Sequence, residues 1–252
     1  MRSILRLILA AALAGCATHR GVPDSTPRAA ADPSDGPPAV APDGGWIEAF
    51  PGVRVNVARR AVEVEGIVPI DCHHPETPDV YLEVIVCTPD TREHEALVMT
   101  SALPSHVHAA LLLVGLVPGS PGAFVPDDEG RLIRVPPRGD PLRVLLFTDG
   151  DDAGAPASDW VVNVTSGRAL SDEAAGGWVF AGSRMVRRQG RERYDADGEG
   201  TLVGLHTFSA EVVAWRTVYN PESVIDEPEW IANRAVVPAF GTPVRVRIEA
   251  AD

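Results

Sequence analysis

The stretch from Glu93 to Gly115 constrains the fold of this chain more than any other part of the sequence. Residues 93–99 alternate between two sides with a period of two, which predicts a β-strand. Ser105 is suited to cap a helix, because its hydroxyl can accept a hydrogen bond from a free amide of the first turn. Every residue from Ala109 to Val114 is apolar, so the helix predicted over 106–114 should be covered on most of its sides. The sequence therefore predicts a strand that leads directly into a buried helix.

A second strand is predicted over Asp79–Cys87, just before this stretch. The loop between the two strands is short, which favours an antiparallel hairpin. In the simplest register Glu83, Glu95 and Cys87 share one face of the hairpin, and His94 lies on the other face. We therefore expect the two carboxylates to lie close together.

The rest of the folded part predicts many strands and no other firm helix. This pattern indicates an α+β or mainly β fold, with antiparallel-rich sheets and one buried helix near residues 106–114. The length of residues 46–252 suits a single globular domain. The short alternating runs lie at 53–57, 61–68, 131–135, 142–147, 160–164, 178–183, 202–206, 212–217 and 243–248.

Residues 1–15 have the pattern of a signal peptide, with a positively charged start and an apolar run that is too short to span a membrane. The sequence Leu13–Cys16 resembles the lipobox of bacterial lipoproteins. The resemblance implies cleavage before Cys16 and acylation of its sulfur and its amine. The alternative is an ordinary secretory peptide with a chance cysteine. Ala17 follows the cysteine, as in lipoproteins that are sorted to the outer membrane.

Residues 16–45 are rich in proline and alanine and show no apolar periodicity, which predicts a disordered tether. We therefore expect a protein of the cell envelope that is held on a lipid bilayer through acylated Cys16. The expected location is the outer membrane, with the domain facing the periplasm.

Cys72 and Cys87 are the cysteines of the predicted domain. An exported protein meets an oxidising compartment, so a disulfide between them is the first expectation. A pair of thiolates that binds a metal is the alternative.

The charge and the basic residues exclude several classes of function. The formal net charge is −13, which argues against a nucleic-acid partner. No lysine occurs in the sequence, which excludes Schiff-base chemistry and the Walker phosphate loop.

Segments spread over most of the folded part resemble the YdjY-domain proteins, a family of bacterial envelope proteins. These segments are packing and turn motifs, so the resemblance implies a shared fold. It implies no activity, because the family has no established one, and the cysteine spacing of an iron–sulfur site is absent. The segments are EVEGIV (63–68), Cys72, LEVIVC (82–87), EHEALV (93–98), VHAALLLVGLVPGSPG (107–122), DWVVNVTSG (159–167), WVFAGS (178–183), YDADGEGTLVGLHTFSA (194–210) and FGTPVRV (240–246).

Four residues could together form a divalent-metal site or a proton-transfer site: His94, His108, Glu83 and Glu95. His108 falls in the first turn of the predicted helix, where the positive helix end favours a neutral imidazole. The alternative is that both histidines are core residues with backbone hydrogen bonds.

Two acidic segments resemble fragments of calcium-binding loops, one containing Asp149 and Asp151 and the other Asp195 and Asp197. Solvated hairpin turns are the alternative, because Asp-Gly is common in turns.

The sequence favours a non-catalytic binding or scaffolding role in the envelope, because it contains no signature of nucleophilic catalysis such as Gly-x-Ser-x-Gly. The expected partners are the bilayer and an envelope protein. Two alternatives remain open: a metal-dependent or redox accessory enzyme that uses the His/Glu residues, and a calcium-stabilised module.

Overall fold

The computed structural model describes residues 45–173 and 176–251. The predicted signal peptide, the lipidation site Cys16 and nearly all of the tether lie outside the described residues. None of the helices in these two ranges is long and apolar enough to cross a membrane.

Strands dominate the described part of the chain. In chain order they are β1 (Ile47–Phe50), β2 (Val53–Asn56), β3 (Ala61–Ile67), β4 (Val84–Cys87), β5 (Ala96–Met99), β6 (Pro118–Ser120), β7 (Ala123–Pro126), β8 (Leu132–Val135), β9 (Arg138–Gly139), β10 (Pro141–Phe147), β11 (Ala155–Pro156), β12 (Val161–Asn163), β13 (Trp178–Phe180), β14 (Met185–Arg188), β15 (Arg191–Tyr194), β16 (Thr201–Gly204), β17 (Val213–Trp215), β18 (Trp230–Ala232) and β19 (Pro243–Ala250). The α-helices in the same ranges are α1 (Pro104–Leu113) and α2 (Asp195–Glu199).

The main sheet closes on itself as a ring of eight strands, in the order β3-β19-β10-β13-β17-β16-β4-β5 and back to β3. Most neighbours are antiparallel, and the exceptions are β4–β5 and β16–β17. Strands β1 and β2 continue the sheet outside the ring, beside β3. Alternation along β19 shows how the sequence builds this wall: Val244, Val246 and Ile248 are buried in the core, and the arginines between them lie on the other face. The predicted mainly β class, with antiparallel-rich sheets and one substantial helix, is confirmed.

Helix α1 packs against β1, β2, β3 and α2. It begins earlier than predicted, with Leu103 at the N-cap and Pro104 in the first turn, because proline needs no amide partner there. The prediction of a Ser105 cap is wrong, since the N-cap residue is Leu103 and makes no side-chain cap hydrogen bond. The prediction that the helix is covered on most sides is confirmed except at its C-terminal end. Leu111 is fully buried, but Leu112 and Leu113 are 46% and 58% exposed.

Candidate functional site

Glu83 and Glu95 lie side by side at the starts of two neighbouring strands. The predicted antiparallel hairpin is wrong, because β4 and β5 are parallel, with Val84 opposite Ala96. A loop and a 3-10 turn at Glu93–Glu95 carry the chain back to the beginning of β4 before β5 starts. The Glu83 N–H then donates to the Glu95 carbonyl over 3.1 Å. The two carboxyl groups are therefore neighbours, as predicted, but through a different strand pairing.

The Glu83 carboxyl lies next to the Glu95 carboxyl, and the proximity of the second carboxyl favours the protonated form of Glu83. Burial, together with the charge and hydrogen bond of Glu95, raises the pKa of Glu83 to about 7. Arg92 opposes this rise in pKa, since its Nε lies 3.9 Å from Glu83 Oε2. A carboxyl pair that holds one proton near neutral pH can donate or accept a proton there.

Arg92 is held beside the pair by several contacts. Its guanidinium lies over the Phe208 ring, 4.1 Å from the ring centroid. Its Nη1 donates to the Glu199 carbonyl over 2.8 Å and to Thr201 Oγ1 over 3.4 Å. Arg92 is thus a fixed part of the carboxyl pair's surroundings.

The structure separates the two predicted histidines. His94 is 76% exposed in its side chain, and its Nε2 lies 3.7 Å from Glu95 Oε1. His108 instead contacts the Tyr194 hydroxyl through Nδ1 at 2.8 Å, and that hydroxyl donates to the Gly182 carbonyl. Burial lowers the pKa of His108. Of the four residues proposed for a metal or proton-transfer site, the structure groups Glu83, Glu95 and His94 and places His108 elsewhere. Within residues 45–173 and 176–251, no three His, Cys, Asp or Glu side chains are arranged to hold a metal.

Cys72 and Cys87 are both buried and both free, so the predicted disulfide is not formed. They belong to different apolar clusters: Cys72 lies in the main core, and Cys87 packs with Val84 and Ala96. Burial raises the pKa of both thiols, that of Cys87 to about 11. A buried thiol that stays protonated is a poor nucleophile and a poor metal ligand.

We expect both thiols to resist a maleimide reagent in the native chain and both to react after denaturation without reductant. The physical reason is that each sulfur is buried and that its thiolate form is disfavoured. Mass spectrometry of the alkylated chain would count the labels at Cys72 and Cys87. Labelling that requires prior reduction would contradict this result and restore the disulfide.

In the first predicted calcium loop, Asp151 binds backbone amides of its own turn. Asp149 lies in the turn after β10. Asp151 Oδ1 accepts the amides of Ala153 and Gly154 over 2.9 and 3.0 Å. These contacts are those of an Asx turn.

The second predicted calcium loop is α2, and its acids have protein partners. Asp195 is 3% exposed and binds Arg184 Nε at 2.9 Å and Arg188 Nη2 at 3.2 Å. Asp197 Oδ1 accepts the Ser105 amide over 2.8 Å. Asp197 therefore satisfies a free amide at the start of α1, which is the role that the sequence assigned to the Ser105 hydroxyl.

Two buried titratable residues were not identified from the sequence, and both lie in the segment that joins β16 to β17. Glu211 is fully buried, and its Oε1 accepts the Phe208 amide. Glu211 Oε2 has no hydrogen-bond partner among the described residues, and burial raises the pKa of Glu211 to about 7. Burial lowers the pKa of His206 to about 4. The available signal was a lone glutamate between Ala210 and Val212, inside an otherwise apolar run.

Five large apolar side chains stand exposed on the β7–β8 hairpin and on the loop before β18. We call them the hairpin surface. Strands β7 and β8 pair only with each other among the described strands, and such an isolated hairpin is marginally stable alone. The hairpin surface consists of Val125 (41% exposed), Leu132 (54%), Ile133 (48%), Val224 (90%) and Ile225 (49%).

Arg134 ties the hairpin to the loop. Its guanidinium forms a two-pronged ion pair with the Asp226 carboxylate, and its Nη1 donates to the Val218 carbonyl over 2.9 Å. Leu132 shares the face of Arg134, because residues two apart on a strand point the same way. The ion pair therefore holds Leu132 on the side of the hairpin that faces the loop with Val224 and Ile225. Val125 and Ile133 are cross-strand partners and lie on the opposite face of the hairpin.

A family model described as the YdjY domain matches residues 53–249. No curated protein and no solved structure matches the chain significantly.

Proposed function

The chain belongs to the YdjY domain family, and from that premise we propose that it is a lipid-anchored cell-envelope protein with a non-catalytic binding or scaffolding role. The observation that supports this role most directly is the hairpin surface. Exposed apolar groups of this size, concentrated on a projecting element, are typical of surfaces that bind another protein.

The polar groups that could carry chemistry have internal partners, which favours binding over catalysis. Glu83 lies beside Glu95, His108 bonds to Tyr194, and Asp195 pairs with two arginines. A side chain engaged in this way is held by the fold and is less available to a substrate.

Charge around the hairpin surface indicates the chemistry of the partner. The turn between β7 and β8 carries Asp127, Asp128 and Glu129, and the loop carries Glu222 and Glu227. Arg131 offsets part of this charge through Asp127 and Glu129. A protein with an apolar patch bordered by basic residues would complement this surface.

The anchor in this proposal is acylated Cys16, with residues 16–45 as the tether and the outer membrane, facing the periplasm, as the location. The support is the lipobox-like sequence Leu13–Cys16 and the small residue after it. The intact mass of the protein purified from membranes tests it, because a free Cys16 thiol would exclude the anchor.

Capture of envelope proteins by cross-linking to the full-length chain tests the binding role. We expect a defined partner whose recovery falls about tenfold in the variant Leu132→Asp/Val224→Asp, since charges placed in an apolar contact disrupt several hot-spot contacts at once. Met185→Asp is the matched control, because Met185 is 60% exposed on another two-stranded hairpin. Equal recovery with wild type and the double variant, or no partner above background, would count against the proposal.

A further inference from the structure

The end of α1 presents apolar side chains to solvent in close succession. Leu112 is 46%, Leu113 58% and Val117 63% exposed, although Ala110 and Leu111 are fully buried. We call these three exposed residues the helix-end patch. A surface helix of a soluble domain normally carries polar residues on its open face. Two exposed leucines in that position form an apolar surface of the kind that contacts a partner or a membrane.

The helix-end patch is held in a fixed shape and is not a frayed terminus. Arg60 Nη2 donates to the Gly115 carbonyl over 2.9 Å. The Val117 amide donates to Asp140 Oδ2 over 3.0 Å, and the Asp140 amide donates to the Val117 carbonyl over 3.1 Å. Gly115 has a φ of +78°, as expected for a glycine that ends a helix. The three apolar side chains are thus presented together by a bonded turn.

Arginines border the patch in a protein of net charge −13. Arg60 touches its turn directly and is 48% exposed in its side chain. Arg59 is its exposed neighbour, and Arg138 on β9 pairs with β6, which starts next to Val117. Asp140 balances one of these charges, at 3.7 Å from Arg60. Leucine and valine flanked by arginine is the composition of a surface that enters the headgroup region of a phospholipid bilayer.

The described chain also begins close to this helix. Strand β1, which directly follows Trp46, packs against α1, and the Phe50 ring stacks on His106 with centroids 5.1 Å apart. A flexible chain of about 30 residues, the length of the proposed tether, has a root-mean-square reach of roughly 30 Å. A chain anchored at Cys16 therefore enters the domain through β1, which contacts α1.

We propose that the helix-end patch rests on the phospholipid bilayer to which the chain is anchored, with Leu112, Leu113 and Val117 in the headgroup region and Arg59 and Arg60 at the phosphates. This inference rests on the proposed lipid anchor. Three partly inserted side chains bind a membrane weakly alone, but the tether makes the contact intramolecular at an effective concentration of about millimolar. The patch would orient the domain relative to the membrane.

The test uses the full-length acylated protein in phosphatidylcholine vesicles with a minor fraction of phosphatidylglycerol. Leu113→Cys carries an environment-sensitive fluorophore, and doxyl-labelled lipids serve as quenchers. Val224→Cys is the control, because Val224 is apolar and 90% exposed at a different site. We expect quenching at position 113 to exceed that at position 224 by about threefold or more, with a blue-shifted emission. Adding Leu112→Glu and Val117→Glu should abolish the difference while the protein stays with the vesicles.

The outcomes separate this inference from the anchor. Protein that floats with the vesicles but is quenched equally at both positions overturns the contact of the patch and leaves the anchor intact. Protein that does not float with the vesicles overturns both. Unlabelled Cys72 and Cys87 in each variant show that the domain has stayed folded.

Discussion

Replacing Glu63 with alanine is expected to lower the free energy of unfolding by about 3–5 kcal/mol, the usual range for removing one member of a buried charge cluster. Glu63 lies on β3 and is 1% exposed, so its carboxylate is almost completely withdrawn from water. Its loss leaves cationic side chains packed against each other without the anion that holds them. Chemical denaturation in urea measures the change.

Three arginines converge on this one carboxylate. Arg247 donates to Glu63 Oε1 through Nε at 2.8 Å and Nη2 at 2.7 Å, and Arg54 donates to Oε2 at 3.0 Å. Arg245 Nε lies 3.5 Å from Oε1. Arg245 and Arg247 also lie over the Phe147 ring, 4.7 and 4.4 Å from its centroid. Because the aromatic ring limits how far these guanidinium groups can turn to solvent, their repulsion is not readily relieved.

Glu65→Ala is the matched control for Glu63→Ala. Glu65 lies on the same face of the same strand, but its side chain is 82% exposed. Its carboxylate makes a long contact of 3.9 Å with Arg54 Nη2. An exposed pair of this kind contributes about 0–1 kcal/mol. Equal losses for Glu63→Ala and Glu65→Ala would show that burial of the cluster does not matter.

Glu63 also shows which part of the fold could be read from the sequence. The alternation of EVEGIV correctly predicts β3 and places Val64 in the core, because a strand's two faces follow from its period alone. The same alternation places Glu63 on the outer face, where a charged residue is expected to be exposed. It is buried because arginines of β2 and β19 cover it, and β19 lies more than 170 residues later in the chain. A local pattern carries no information about such a distant neighbour.

The candidate site could be predicted from the sequence to about the same extent as the fold. The sequence correctly placed Glu83 and Glu95 close together, but both residues precede their strands and meet through the parallel pairing of β4 and β5. The direction itself was wrong, because the 3-10 turn at Glu93–Glu95 reverses the chain before β5 begins. His108 was assigned to the same site from sequence proximity, but its partner is Tyr194, which lies 86 residues away. Residue type and spacing identified the carboxyl pair, and tertiary contacts decided the remaining members.

Replacing Glu211 with glutamine is expected to remove a loss of stability that the wild-type protein suffers as the pH rises. Burial raises the pKa of Glu211 in the folded protein to about 7 from its ordinary value of 4.5. A carboxyl with a raised folded pKa contributes its stability fully below the unfolded pKa, and this contribution is lost as the pH rises through the folded pKa. The loss therefore spans pH 4.5 to about 7. It amounts to about 3 kcal/mol for a shift of this size in a fully buried group.

Glutamine keeps the oxygen that accepts the Phe208 amide and has no proton to lose, so Glu211→Gln should resemble the wild-type protein at pH 5. At pH 8 the variant should be more stable by about 2–3 kcal/mol, because the wild-type protein must then ionise a carboxylate whose Oε2 has no partner among the described residues. Urea denaturation at both pH values measures the difference. A difference in stability between the variant and the wild-type protein that does not grow from pH 5 to pH 8 would contradict the assignment.

His206 and Glu83 separate this effect from the other titrations. His206 has its pKa lowered to about 4, so its contribution is lost as the pH falls below its ordinary value of 6.5. That change overlaps the Glu211 window with the opposite sign, but it is common to the wild-type protein and Glu211→Gln, so it cancels in their difference. Glu83, with its pKa raised to about 7, acts in the same direction as Glu211, but its partial exposure makes its share smaller. Glu211→Gln should therefore remove most of the decline toward pH 8, and the double variant Glu83→Gln/Glu211→Gln should remove the rest.

Phe208 connects the two groups, since its amide binds Glu211 and its ring lies under Arg92 beside Glu83. A double-mutant effect larger than the sum of the two single effects would show that the carboxyl pair and the β16–β17 segment titrate as one unit.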